Sequence, residues 1–135
     1  MDGSSDDASA DLLSVPGHNA FWFAWSVFHP GANAVEFALA ALASCLTGTL
    51  AYYGAALGIE LEEVSAELEG FMDMRGMLGV DESTRNGLQQ IRVDYRIKSP
   101  EPRERILELL GVAQKFSPIY DLMTNPVPVS LSLVQ

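Results

Sequence analysis

The sequence predicts an α+β domain, and three observations carry that prediction. A long run rich in Ala and Leu, residues 33–57, is typical of a helix apolar on most of its surface. Two later segments, 63–74 and 88–98, alternate apolar and polar residues as half-buried strands do. We therefore predict one domain over residues 16–135, preceded by a disordered acidic tail at residues 1–15.

The first elements of that domain are a strand and the long helix. Residues 21–28, FWFAWSVF, are aromatic and β-branched and precede His29-Pro30-Gly31, so they predict a strand that ends in a turn. The helix has Asn33 as its N-cap and Gly58 just past its end. It is long enough to span a bilayer, but its Ala content and the absence of flanking Lys or Arg favour a helix surrounded by protein.

Two antiparallel strands are predicted next, over Glu63–Met74 and Leu88–Lys98. Their polar faces carry charges of opposite sign, so Arg92 and Arg96 are expected to pair with glutamates across the sheet surface. These charges therefore have a structural explanation and need no ligand.

The last third of the chain predicts two helices and a closing strand. Ser99-Pro100 has the composition of a helix start, with the helix running to about Lys115, and Ser117-Pro118 opens a short helix to about Met123. Residues 127–134, VPVSLSLV, alternate as a strand, and their proline favours an edge position.

Charge and cysteine content exclude several functions. The net charge is −10, and no Lys or Arg precedes Arg75, which argues against nucleic acid or an anionic membrane as a partner. The single cysteine, Cys45, permits no intramolecular disulfide and no multi-cysteine metal site. We expect a cytoplasmic protein without a bound metal or cofactor.

Several motifs together resemble the OsmC/Ohr family of small α+β proteins. They are LAALASCLTGTLAYYGAALGI in the long helix, VSAELEG and RNGLQQIRVDYRI in the strands, and FSPIYDLMTNPVPVSL near the end, and the resemblance covers about residues 34–134. It implies an intertwined homodimer whose long helices pack between two sheets. Active members of that family reduce organic hydroperoxides in defence against oxidative stress.

The resemblance also implies the residues of a site, and this chain departs from the pattern in three ways. Cys45 takes the attacking position, but Ser117 stands where the resolving cysteine belongs. No arginine occupies the usual N-terminal segment, which leaves Arg75, Arg85 and His29 as substitute partners for the thiolate. Glu36 lies nine residues before the cysteine instead of ten, a shift that turns its side chain by about 100° on a helix.

Two functions follow as alternatives. The first is an OsmC-like thiol peroxidase with impaired or altered catalysis, which acts on an organic hydroperoxide and depends on an external thiol reductant. The second is a non-catalytic dimer that binds an apolar small molecule or serves a structural role. For that second function, five residues could line an apolar pocket near the thiol, although residues of these types are more often part of an ordinary core: Tyr52, Tyr53, Met72, Met74 and Met77.

Overall fold

The structure is a computed structural model that describes residues 13–14 and 34–135. In chain order its elements are β1 (Leu13–Ser14), α1 (Ala34–Ala56), β2 (Glu63–Met72), α2 (Met74–Met77), β3 (Leu88–Lys98), α3 (Arg103–Phe116) and α4 (Pro118–Thr124). The α+β class is confirmed. The strand predicted over residues 21–28 and most of the predicted acidic tail lie outside the described residues.

Helix α1 forms where the Ala-rich and Leu-rich run predicts it and carries the core along its length. Its leucines at positions 39, 42, 46 and 50 recur every three or four residues and are all buried. The helix stops at Gly58, whose φ of +69° allows the amide of Ile59 to donate to the carbonyl of Gly54 at 2.8 Å. The predicted glycine stop is thus confirmed.

The exposed side of α1 is unusually apolar. The helix is long enough, and at a mean hydropathy of 1.6 apolar enough, to cross a membrane, and 22% of that window is buried. A core helix of a soluble protein meets the same criteria of length and composition, so they do not decide between the two. Phe37 and Tyr52 are exposed on this side, together with the small residues Ser44 and Gly48.

Strands β2 and β3 form the antiparallel pair that alternation predicts, with Leu68 opposite Val93. The polar face carries the expected ion pairs, Arg92 to Glu69 at 2.9 Å and Arg96 to Glu67 at 3.3 Å. The opposite face lies against α1. Strand β1 adds to β2 in parallel, which gives the strand order β1-β2-β3.

Two predicted boundaries are wrong, one because of a local hydrogen bond and the other because of a proline. Strand β2 ends two residues before the predicted Met74, since Asp73 accepts a hydrogen bond from the amide of Arg75 and thereby caps α2. The Ser99 hydroxyl does not cap α3. It donates to the carbonyl of Glu60, and α3 begins only after Pro102, because a residue that precedes proline is disfavoured in helical conformation.

Helix α3 packs on the second half of α1 and completes the core. A first cluster of buried residues, Leu39, Leu42, Leu46 and Leu68, joins α1 to the sheet. A second cluster, Leu50, Ile59, Leu109 and Ala113, joins α1 to α3. Helix α1 therefore connects both halves of the core.

The predicted closing strand at residues 127–134 is not formed in this single chain. Its apolar side chains are exposed instead, Val129 at 83% and Leu131 at 97%. A strand is stable only when its backbone groups pair with a neighbouring strand, and no strand among the described residues lies alongside this segment.

Candidate functional site: the Cys45–Ser117 contact

The site is built where α1 meets the junction between α3 and α4. Cys45 lies in the middle of α1 and is half-buried. Ser117 separates α3 from α4, and its side chain is almost completely buried, with 1% exposed. The two residues are 72 positions apart in sequence, and the Ser117 hydroxyl donates to the Cys45 sulfur at 3.1 Å.

Ser117 has this position because it also begins α4. Its backbone is extended, with φ −78° and ψ 116°, and its hydroxyl oxygen accepts a hydrogen bond from the amide of Tyr120 at 3.2 Å. Pro118 takes the first helical position, as predicted. The same side chain therefore caps one helix and contacts the thiol on another.

A second hydroxyl, that of Thr49, lies next to Cys45 within α1. The hydroxyl of Thr49 donates to the carbonyl of Cys45 at 2.7 Å, so it contacts the backbone of the cysteine and not its sulfur. This threonine therefore offers a matched comparison for Ser117, because both are hydroxyls adjacent to the same residue.

A tyrosine of the sheet forms a hydrogen bond with a threonine of α1 two residues after Cys45. The hydroxyl of Tyr95 on β3 and that of Thr47 are hydrogen-bonded at 2.9 Å. The pKa of Tyr95 is raised, mainly by burial. The hydrogen bond with Thr47 lowers this pKa, whereas the negative charge of a Cys45 thiolate raises it. The alternation of β3 predicts that Tyr95 faces inward, but nothing in the sequence indicates that it meets Thr47.

The two candidate arginines are not brought to the thiol. Arg75 is exposed, and its guanidinium donates to Asp73 at 2.7 Å. That hydrogen bond raises the pKa of Arg75 and lowers the pKa of Asp73. Arg85 is exposed in the connection between α2 and β3. Within residues 34–135, no lysine or arginine donates to the Cys45 sulfur.

Glu36 lies in the first turn of α1 and is half-buried. It precedes Cys45 by nine positions, so the helical rotation of about 100° per residue turns it to the opposite side of α1. His29, the remaining candidate partner, lies outside the described residues.

The tyrosines and methionines that could line an apolar pocket differ in their exposure. Met74 is buried, whereas Tyr52 and Met77 are exposed. Two surface depressions stand out among the described residues. One lies between α3 and α4, the other lies over the polar edge of β2 and β3, and the five predicted residues line neither. No cluster of metal-binding side chains occurs within the part of the chain that the structure describes.

The fold and this contact together define a class: an α+β protein in which a long apolar helix presents one cysteine to a buried hydroxyl. The profile of the family described as "OsmC-like protein" matches residues 28–132. That match covers most of the chain, and the protein belongs to the OsmC-like family.

A solved structure agrees with this assignment at the level of the fold. The OsmC-like protein from Mycoplasma pneumoniae superposes with a TM-score of 0.66 at 17% identity, over 83% of this chain and 72% of that one. No curated protein matches the chain.

Proposed function

We propose that this protein is a one-cysteine thiol peroxidase that reduces organic hydroperoxides at Cys45 and is regenerated by an external thiol. The observation that carries the proposal is the 3.1 Å hydrogen bond from Ser117 to the sulfur. By family resemblance, the resolving group approaches the attacking sulfur from this position. In this chain a serine oxygen takes the place of the second sulfur, and its contact with Cys45 supports the proposal.

The chemistry balances as follows. The thiolate of Cys45 attacks the outer peroxide oxygen, the O–O bond breaks, and the departing alkoxide takes a proton, which gives an alcohol and a cysteine sulfenic acid. A first external thiol condenses with the sulfenic acid, forming a mixed disulfide and releasing water. A second external thiol displaces the first as a disulfide and restores Cys45.

Catalysis by this route is expected to be altered relative to a two-cysteine enzyme. A free cysteine with a pKa near 8.5 is only a few per cent thiolate at neutral pH. An arginine that donates to the sulfur would raise that fraction, and none within residues 34–135 does so. The resolving step also becomes bimolecular, so turnover should rise with the concentration of external thiol.

The test is hydroperoxide consumption by the purified protein. Cumene hydroperoxide is mixed with the protein and dithiothreitol, and the rate is compared with that of Cys45→Ser. We expect the wild type to consume hydroperoxide faster and to form a dimedone adduct on Cys45 when the thiol is omitted. Equal rates for the two proteins would leave the alternative, a non-catalytic binding or structural dimer.

We also propose that two copies pair through the exposed side of α1 and the segment 127–134. Phe37 and Tyr52 expose 61% and 68% of their surface in the single chain, which is unusual for aromatic residues. Gly48 has nothing within 4 Å of the place where a Cβ would stand, so another backbone has room to approach. The alternating residues 127–134 have no strand beside them among the described residues, and a second copy would supply one.

The homodimer is tested by light scattering coupled to gel filtration. Gly48→Leu is expected to shift the mass from dimer to monomer, because the side chain occupies the contact. Gly111→Leu is the matched control, since Gly111 also lies in a helix with nothing within 4 Å. A monomeric wild type, or equal dimer populations in both variants, would contradict the proposal.

A further inference from the structure

The hydroxyl of Ser117 has two hydrogen-bond partners, the amide of Tyr120 and the sulfur of Cys45. A serine hydroxyl carries one hydrogen, and a backbone amide can only donate. The oxygen accepts from the Tyr120 amide at 3.2 Å with one of its two lone pairs, and the hydroxyl hydrogen is donated to the sulfur at 3.1 Å. Ser117 is also the buried polar side chain of the described residues, with 1% exposed, so little water competes for that hydrogen.

A hydroxyl that donates to the sulfur affects the two forms of the thiol unequally. A neutral thiol is a weak acceptor, whereas a thiolate accepts a charge-assisted hydrogen bond that is roughly twice as strong as a neutral one. The donor therefore stabilises the thiolate more than the thiol. It does so without a hydrogen bond from a positively charged side chain, since no lysine or arginine of residues 34–135 donates to the sulfur.

We infer that Ser117 is a positioning residue that directs its hydroxyl proton to Cys45 and stabilises the reactive thiolate in place of a cation. This inference deepens the proposed peroxidase function and rests on it for its biological meaning. The contact itself is measurable without any hydroperoxide, so the two can fail separately.

The experiment is the pH profile of Cys45 alkylation by iodoacetamide. Only the thiolate reacts, so the rate rises with pH to a plateau, and the midpoint of the rise is the pH at which half of the thiol is ionised. For Ser117→Ala we expect a higher midpoint, an unchanged plateau, and a rate at pH 7 about tenfold lower than that of the wild type.

Three further variants separate the hydrogen bond from a structural effect. Ser117→Thr keeps both hydroxyl and cap and should restore the wild-type midpoint. Ser117→Gly removes the hydroxyl but begins a helix almost as well as serine, so it replaces the alanine variant if that protein does not fold. Thr49→Ala removes the hydroxyl on the Cys45 carbonyl and should leave the midpoint unchanged.

A midpoint equal to that of the wild type in both Ser117→Ala and Ser117→Gly would overturn the inference. So would a change confined to the plateau, because that reports access to the sulfur and not its ionisation. If the midpoint shifts as expected while hydroperoxide consumption matches Cys45→Ser, the inference stands and the proposed peroxidase function fails.

Discussion

Replacing Ser117 with cysteine should allow a disulfide to form with Cys45. The serine oxygen already lies 3.1 Å from the sulfur, and a disulfide has its two sulfurs about 2.0 Å apart. Closure therefore needs a displacement of about 1 Å, which side-chain rotation and a small shift of the connection between α3 and α4 can supply. The variant tests directly whether the two positions meet in solution.

The expected stabilisation follows from the length of the loop that the disulfide closes. The two residues are 72 positions apart, and constraining an unfolded loop of that size corresponds to about 4 kcal/mol in the chain-entropy description. Loss of the serine cap costs about 1 kcal/mol. Because that loss is the same in the oxidised and reduced variant, comparing the two forms isolates the contribution of the disulfide.

The assay has two parts. One equivalent of hydroperoxide should lower the intact mass of Ser117→Cys by two hydrogens, and urea unfolding should then show a higher free energy of unfolding without reductant than with it. Ser117→Ala, which keeps one cysteine, should show no such difference. If oxidation gives only disulfides between chains, or if the thiols remain free, the Cys45–Ser117 contact and the reasoning built on it are wrong.

Other predictions concern stability. Leu109→Ala should lower the free energy of unfolding by about 2–5 kcal/mol, measured in urea, because Leu109 is fully buried between α1 and α3. Gly76→Ala should lower the free energy of unfolding by about 1–3 kcal/mol, since the new Cβ would lie 2.5 Å from a backbone carbonyl oxygen. Gly111→Ala, whose new Cβ would have nothing within 4 Å, should raise the free energy of unfolding by up to about 1 kcal/mol. Tyr95→Phe should cost about 0.5–1.5 kcal/mol by removing the hydrogen bond to Thr47. The folded protein raises the pKa of Tyr95 above its ordinary value of 10.0. The contribution of Tyr95 to the free energy of unfolding is therefore complete below pH 10 and is lost as the pH rises further. The stability difference between wild type and Tyr95→Phe should therefore narrow in alkaline urea titrations.

The elements that local patterns determine were predictable from the sequence. Strand β3 has the predicted bounds Leu88–Lys98, because alternation and its flanking residues are properties of the segment itself. The sequence places the start of α3 too early, because Pro102 disfavours helical conformation in the residue before it, while the Ser99 hydroxyl donates to the carbonyl of Glu60. Residues 127–134 have a strand pattern, but a pattern does not supply the neighbour that a strand requires.

The site was predictable only in part. Family resemblance identified Cys45 and Ser117 as corresponding to the two sulfur positions, and the structure brings these residues together across 72 positions. Their hydrogen bond could not be read from either local segment, because it depends on how α1 packs against α3 and α4. The same holds for Thr47 and Tyr95, which are 48 positions apart.

The acidic composition bears directly on why a neutral donor is found at the thiol. The chain has 18 carboxylate residues and 8 lysines and arginines, so a basic side chain readily finds a carboxylate on the surface. Arg75 pairs with Asp73, and Arg92 contacts both Glu69 and Asp94. Exposed pairs of this kind add little to stability, yet they keep a guanidinium in water, where it loses no hydration. Moving one to a half-buried sulfur would give up that hydration, whereas a buried serine that already caps a helix incurs no such cost. Composition and local capping together therefore favour a hydroxyl at this position.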